Sequence, residues 1–61
     1  MPIVRVEMFS GRSDEQKAEL AKAITDAVVR IAKTSPEATA VIFTDIDKEN
    51  WADAGKLASD S

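Results

Sequence analysis

Residues 13–33 read SDEQKAELAKAITDAVVRIAK, and this stretch decides the fold. Ser13 is a suitable N-cap, and Gln16 stands three residues on, where it can reach back to complete a capping box. Asp14 and Glu15 suit the positive end of the helix dipole. Leu20, Ile24, Ala27, Val28 and Ile31 recur at three- and four-residue spacing and form one apolar stripe. Lys22, Asp26 and Arg30 lie four apart on another face, where they can pair as a solvated ladder of small energetic weight. The spacing predicts a helix from Asp14 to Lys33, on the order of 30 Å long. Thr34-Ser35-Pro36 ends it, because the residue before a proline disfavours the helical region.

Working outward, residues 3–9 (IVRVEMF) place Val4, Val6 and Met8 on one face of a strand and Arg5 and Glu7 on the other. Ser10-Gly11-Arg12 supplies the turn into the helix. Downstream, residues 39–46 (TAVIFTDI) predict a second strand. Its near-continuous apolarity suits a strand covered on both faces, as in parallel pairing. Strand, helix and strand make a β-α-β unit with a right-handed crossover. The fold class is therefore α/β (α+β): a single β-α-β unit with parallel strands, in one domain over residues 1–61. The remaining segment, Asp47 to Ser61, holds Trp51 and Gly55 and reads as a turn or short hairpin lying on a neighbouring subunit.

Two strands and one helix cannot enclose a core, and a chain of 61 residues is marginal alone. Small domains compensate with disulfides, metals or assembly. Cys and His are both absent, which removes disulfides, thiolate chemistry and nearly every transition-metal site. Assembly is left, by edge pairing or face packing with other copies. The net charge is −3 with both signs interspersed. Without a Lys/Arg block there is no nucleic-acid footprint, and no apolar run approaches the roughly 20 residues that span a membrane. These features suit a soluble cytoplasmic protein.

The catalytic inventory is short. No glycine-rich phosphate loop and no dinucleotide fingerprint occur. Asp45, Asp47 and Glu49 do not have the spacing of an EF-hand loop and read as a solvated strand end, with no metal expected. Pro2 is different in kind. Removal of Met1 would leave it as a free secondary amine, and burial beside a cation would favour its unprotonated form. Such an amine is a base for abstracting a proton next to a carbonyl. Arg12, just ahead of a helix N-terminus, can grip a carboxylate together with nearby backbone N–H groups. Trp51, the single tryptophan, can wall an apolar pocket and exclude water.

Taken together, the MPIV start, GRSDEQK at residues 11–17, VIFTDIDKENW at 41–51 and GKLAS at 55–59 resemble the 4-oxalocrotonate tautomerase (2-hydroxymuconate tautomerase) family of the tautomerase superfamily. The resemblance covers essentially the whole chain. It implies β-α-β subunits paired as dimers and assembled as a homo-hexamer, a trimer of dimers, with sites at subunit boundaries. It implies a cofactor-independent isomerase acting on a small unsaturated or oxo acid. Pro2 matches the family's catalytic proline and Arg12 its carboxylate-binding arginine. Trp51 falls where an aromatic residue lines the pocket. Phe9 falls where a neighbouring subunit contributes pocket surface and a backbone amide.

Two positions depart from the family pattern. Ala40 stands where the dicarboxylate enzymes carry a second arginine, and no arginine follows Arg30. Asp53 replaces a more often apolar pocket residue. It raises an alternative of hydratase, dehalogenase or decarboxylase chemistry, with Asp53 activating water. A further alternative is a non-catalytic subunit of a hetero-oligomer.

Overall fold

The computed structural model describes residues 1–60. Strand β1 (Ile3–Phe9) is followed by helix α1 (Asp14–Ala32), a 3₁₀ turn at Pro36–Ala38 and strand β2 (Ala40–Ile46). A second 3₁₀ turn (Lys48–Asn50) leads to short strands β3 (Ala52–Asp53) and β4 (Lys56–Leu57), and a 3₁₀ turn follows at Ala58–Asp60. β1 and β2 pair in parallel, from Ile3 opposite Ala40 to Phe9 opposite Ile46. This is the β-α-β unit that the sequence predicts.

The capping box forms as expected. The Gln16 N–H donates to Ser13 Oγ at 3.1 Å, and the Ser13 N–H donates to Gln16 Oε1 at 2.9 Å. At the other end the helix stops at Ala32, one residue short of the expected Lys33. Lys33 is the C-cap, in the left-handed region at φ 60° and ψ 50°, a common way to end a helix. Thr39 likewise falls outside the strand expected to include it. Its N–H donates to the Pro36 carbonyl at 3.1 Å and its Oγ1 to the Ser35 carbonyl at 2.9 Å. Those bonds hold Thr39 to the preceding turn, so the ladder starts at Ala40. The surface ladder on α1 forms one rung, Lys22 to Asp26 at 3.0 Å. Its Asp26–Arg30 rung is not among the ion pairs of the described residues.

Asp45 and Asp47 are tied down rather than simply solvated as expected. Lys17 Nζ meets Asp45 Oδ2 at 2.5 Å, and the Ser10 hydroxyl donates to Asp47 Oδ1 at 2.5 Å. The first contact ties the start of α1 to the end of β2. The second ties the ends of the two strands together.

Val4, Val6 and Met8 are half-buried on the helix side of the sheet, while Ile3, Arg5 and Glu7 are exposed on the other. Among the described residues none is fully buried. The radius of gyration is 14.5 Å, against about 10.5 Å for a compact domain of this length. Ile31 is 67% exposed and Ile3 48%. Ala27, Val28, Ile31 and Ala32 line an open apolar hollow of about 260 Å³. These apolar surfaces are left open in the single chain. No helix among the described residues is long and apolar enough to cross a membrane.

Candidate functional site

Pro2 sits at the start of β1, half-exposed, and its carbonyl accepts the Ala40 N–H at 3.0 Å. The same bond sets Ala40 at the Pro2 end of the sheet. Met1 precedes Pro2 and is 89% exposed. While it is attached, the Pro2 nitrogen is an amide without a basic lone pair.

Arg12, Phe9, Trp51 and Asp53 gather at the opposite end of the sheet. The Arg12 guanidinium turns back and donates to the Phe9 carbonyl at 3.1 Å. The Phe9 and Trp51 rings lie 4.6 Å apart between centroids and are tilted by 52°, within the range of attractive aromatic pairs. The Trp51 indole Nε1–H donates to Asp53 Oδ2 at 3.1 Å. Seven residues of strand separate this cluster from Pro2, which amounts to roughly 20 Å. An arginine side chain cannot bridge that gap within one chain.

The tail hairpin holds Trp51 in place. Ala52 pairs with Leu57 and Asp53 with Lys56, leaving Ala54 and Gly55 as a two-residue loop. Both have positive φ, 52° and 79°, as the tight hairpin turn that matches strand twist requires. Below the hairpin, the Ala58 N–H donates to the Trp51 carbonyl at 2.8 Å. The Trp51 N–H donates to the Lys48 carbonyl at 3.3 Å. The expected hairpin is thus present, and it fixes the indole against Phe9.

An open hollow of about 320 Å³ lies here, lined by Glu7, Ile46, Asn50, Trp51, Ala52 and Asp53. Glu7, Ile46 and Asn50 were not among the residues singled out from the sequence. Glu7 carried a usable signal, because it lies two residues before Phe9 and so shares its face of the strand. Asn50 carried none, since only the 3₁₀ turn brings it beside Trp51. The hollow joins the Trp51 wall to two carboxylates, Glu7 and Asp53, and neither Arg12 nor Phe9 is among its lining residues.

Parallel strands around one helix, with a proline at one end of the sheet and an arginine–aromatic cluster at the other, define a tautomerase-like β-α-β subunit. The family model described as "Tautomerase enzyme" matches residues 2–61, and the chain belongs to that family. It is 46% identical over 57 residues to a protein of Ralstonia nicotianae named "probable tautomerase", covering 93% of this chain and 88% of that one. Over 60 residues it is 42% identical to the 2-hydroxymuconate tautomerase of Bacillus subtilis, covering 98% and 97%. Among solved structures it superposes on YwhB, described as a homologue of 4-oxalocrotonate tautomerase, with a TM-score of 0.94. That pair shares 40% identity, with 98% of each chain covered.

Proposed function

We propose that this chain is a cofactor-independent tautomerase that moves a proton between oxygen and carbon of a small enol or oxo carboxylic acid. Pro2 carries the reading: the family match begins at this residue, and the Ala40 N–H at the head of β2 holds its carbonyl by a backbone bond. After Met1 is removed, the unprotonated Pro2 amine takes the enol hydroxyl proton and returns it to carbon, acting first as base and then as acid. Arg12 binds the substrate carboxylate and draws electron density from the reacting centre. Trp51 walls the pocket and keeps water out, and Phe9 supplies surface and its backbone amide.

Because Pro2 and Arg12 stand at opposite ends of one strand, the Arg12 that serves a given Pro2 belongs to another copy. The half-exposed faces of the subunit support such assembly, and the resemblance implies a hexamer built from three dimers. The working unit is the whole of residues 1–61 as one domain. Ala40 leaves the Pro2 end without a second arginine, and Glu7 and Asp53 make the hollow acidic. Both features favour a substrate with one carboxylate over a dicarboxylate.

The test is an enol-ketonisation assay on protein whose intact mass shows Met1 removed, with substrates of one and two carboxylates. Turnover with a higher kcat/KM on the monocarboxylate is expected. Absence of turnover on both would refute the catalytic reading, and preference for the dicarboxylate would refute the substrate class.

A further inference from the structure

Arg12 stands on a short link, Ser10-Gly11-Arg12, between the end of β1 and the Ser13 cap of α1. Gly11 has φ 123°, a backbone conformation that residues with side chains rarely adopt. The link can swing about this glycine unless its ends are held. Ser10 is held twice by the end of β2 and the residue after it. Its N–H donates to the Ile46 carbonyl at 3.0 Å, and its hydroxyl donates to Asp47 Oδ1 at 2.5 Å. One bond alone leaves a hinge, whereas two bonds to successive residues fix both the place and the rotation of Ser10.

The Phe9–Ser10 peptide group carries that constraint to Arg12. A peptide unit is planar, so its N–H and C=O turn together. The N–H of this unit is the one bound to Ile46, and its C=O accepts the Arg12 guanidinium at 3.1 Å. On the far side of the link, Ser13 is locked in the capping box, and Lys17 Nζ meets Asp45 Oδ2 at 2.5 Å. Three successive residues, Asp45, Ile46 and Asp47, therefore hold the chain before and after Arg12. Asp47 also stands at the N-cap of the Lys48–Asn50 turn, yet its side chain makes no capping bond there. Its carboxylate is directed to Ser10 instead.

We propose that Asp47 is a positioning residue for Arg12. Through the Ser10 hydroxyl it fixes the Phe9–Ser10 peptide and so sets the direction from which the guanidinium meets the substrate carboxylate. This deepens the carboxylate-binding role proposed for Arg12 and rests on it. A guanidinium grips a carboxylate through parallel N–H···O bonds in one plane. A looser link therefore weakens the grip without touching the amine that moves the proton.

Two readouts test the proposal, one of them independent of turnover. The first is the backbone order parameter of Gly11 and Arg12 from ¹⁵N relaxation, about 0.85 in a rigid backbone. It should fall toward about 0.6 in Asp47→Ala and Ser10→Ala. It should return in Asp47→Asn, which keeps an acceptor oxygen for the Ser10 hydroxyl. The second is steady-state ketonisation of the monocarboxylate enol acid. Both alanine variants should raise KM about three- to tenfold with kcat within about twofold of the parent. In an Arg12→Ala background, Asp47→Ala should change kcat/KM by less than about twofold, because the group it positions is gone. Circular dichroism confirms that each variant is folded, and Ser10→Ala carries both readouts should Asp47→Ala not fold. Unchanged order parameters in the alanine variants would overturn the proposal. So would a loosened link with KM unchanged, an equal loss with and without Arg12, or an Asp47→Asn as impaired as Asp47→Ala. A link that loosens as expected in a protein that turns over no enol acid refutes the tautomerase reading alone.

Discussion

Trp51 and Asp53 are bound to each other: the indole Nε1–H donates to Asp53 Oδ2 at 3.1 Å across the start of the tail hairpin. The bond gives Asp53 a task that its position in the sequence does not reveal. By accepting from the indole, the carboxylate braces Trp51 in the wall of the hollow.

Asp53→Ala is accordingly expected to loosen the indole, raising KM by about fivefold for a lost hydrogen bond of roughly 1 kcal/mol. Asp53→Asn keeps an acceptor oxygen and should stay near the parent. Anisotropy of the single tryptophan should fall in the alanine variant and recover in the asparagine variant. Loss of turnover in both variants, with Trp51 unmoved, would point instead to a chemical role for the carboxylate.

Arg12→Ala should leave the helix and sheet intact, since its side chain bonds the Phe9 carbonyl at an exposed strand end. Loss of a charged hydrogen bond to substrate costs about 1.5–3 kcal/mol, or roughly 10- to 150-fold in kcat/KM. Circular dichroism and steady-state kinetics on one preparation separate the two effects.

Retention of Met1 should abolish proton transfer, because the Pro2 nitrogen is then an amide. Activity should scale with the fraction of chains whose intact mass lacks Met1. In processed protein kcat/KM should fall as the pH drops, because protonation removes the base form of the amine. A rate that rises toward low pH would mean that Pro2 works as an acid from the outset.

Ser13→Ala removes the side-chain acceptor of the Gln16 N–H and should cost about 1 kcal/mol of stability. For a chain of this size that corresponds to a fall in Tm of about 4–8 °C. Parent and variant must be compared at equal protein concentration, since assembly contributes to the apparent Tm.

Much of the fold is legible in the chain. The SDEQ capping box, the apolar stripe of α1 and the Pro36 stop locate the helix, because each is a local interaction between residues three or four apart. The misplaced boundaries share a cause. Lys33 and Thr39 have side chains compatible with the elements they flank, and the left-handed cap and the Ser35 turn exclude them through backbone geometry. The site is legible as a set of residues and not as an arrangement. Pro2, Arg12 and Trp51 can be named from type and position, and Phe9 and Asp53 from the family resemblance. Glu7, which lines the same hollow, shares the strand face of Phe9 and could have been found from the two-residue period, whereas Asn50 is brought there only by the 3₁₀ turn.

By itself the sequence determined the β-α-β unit, the parallel pairing and a proline at the head of the first strand. These follow from periodicity, capping and chain connectivity, all local or topological constraints. Only the tertiary structure decided that Pro2 and Arg12, ten residues apart, stand roughly 20 Å apart at opposite ends of the sheet. The reason is that an extended strand converts sequence separation directly into distance. The long crossover and the hairpin do the reverse, returning Trp51 to Phe9 with ring centroids 4.6 Å apart across 42 positions of chain.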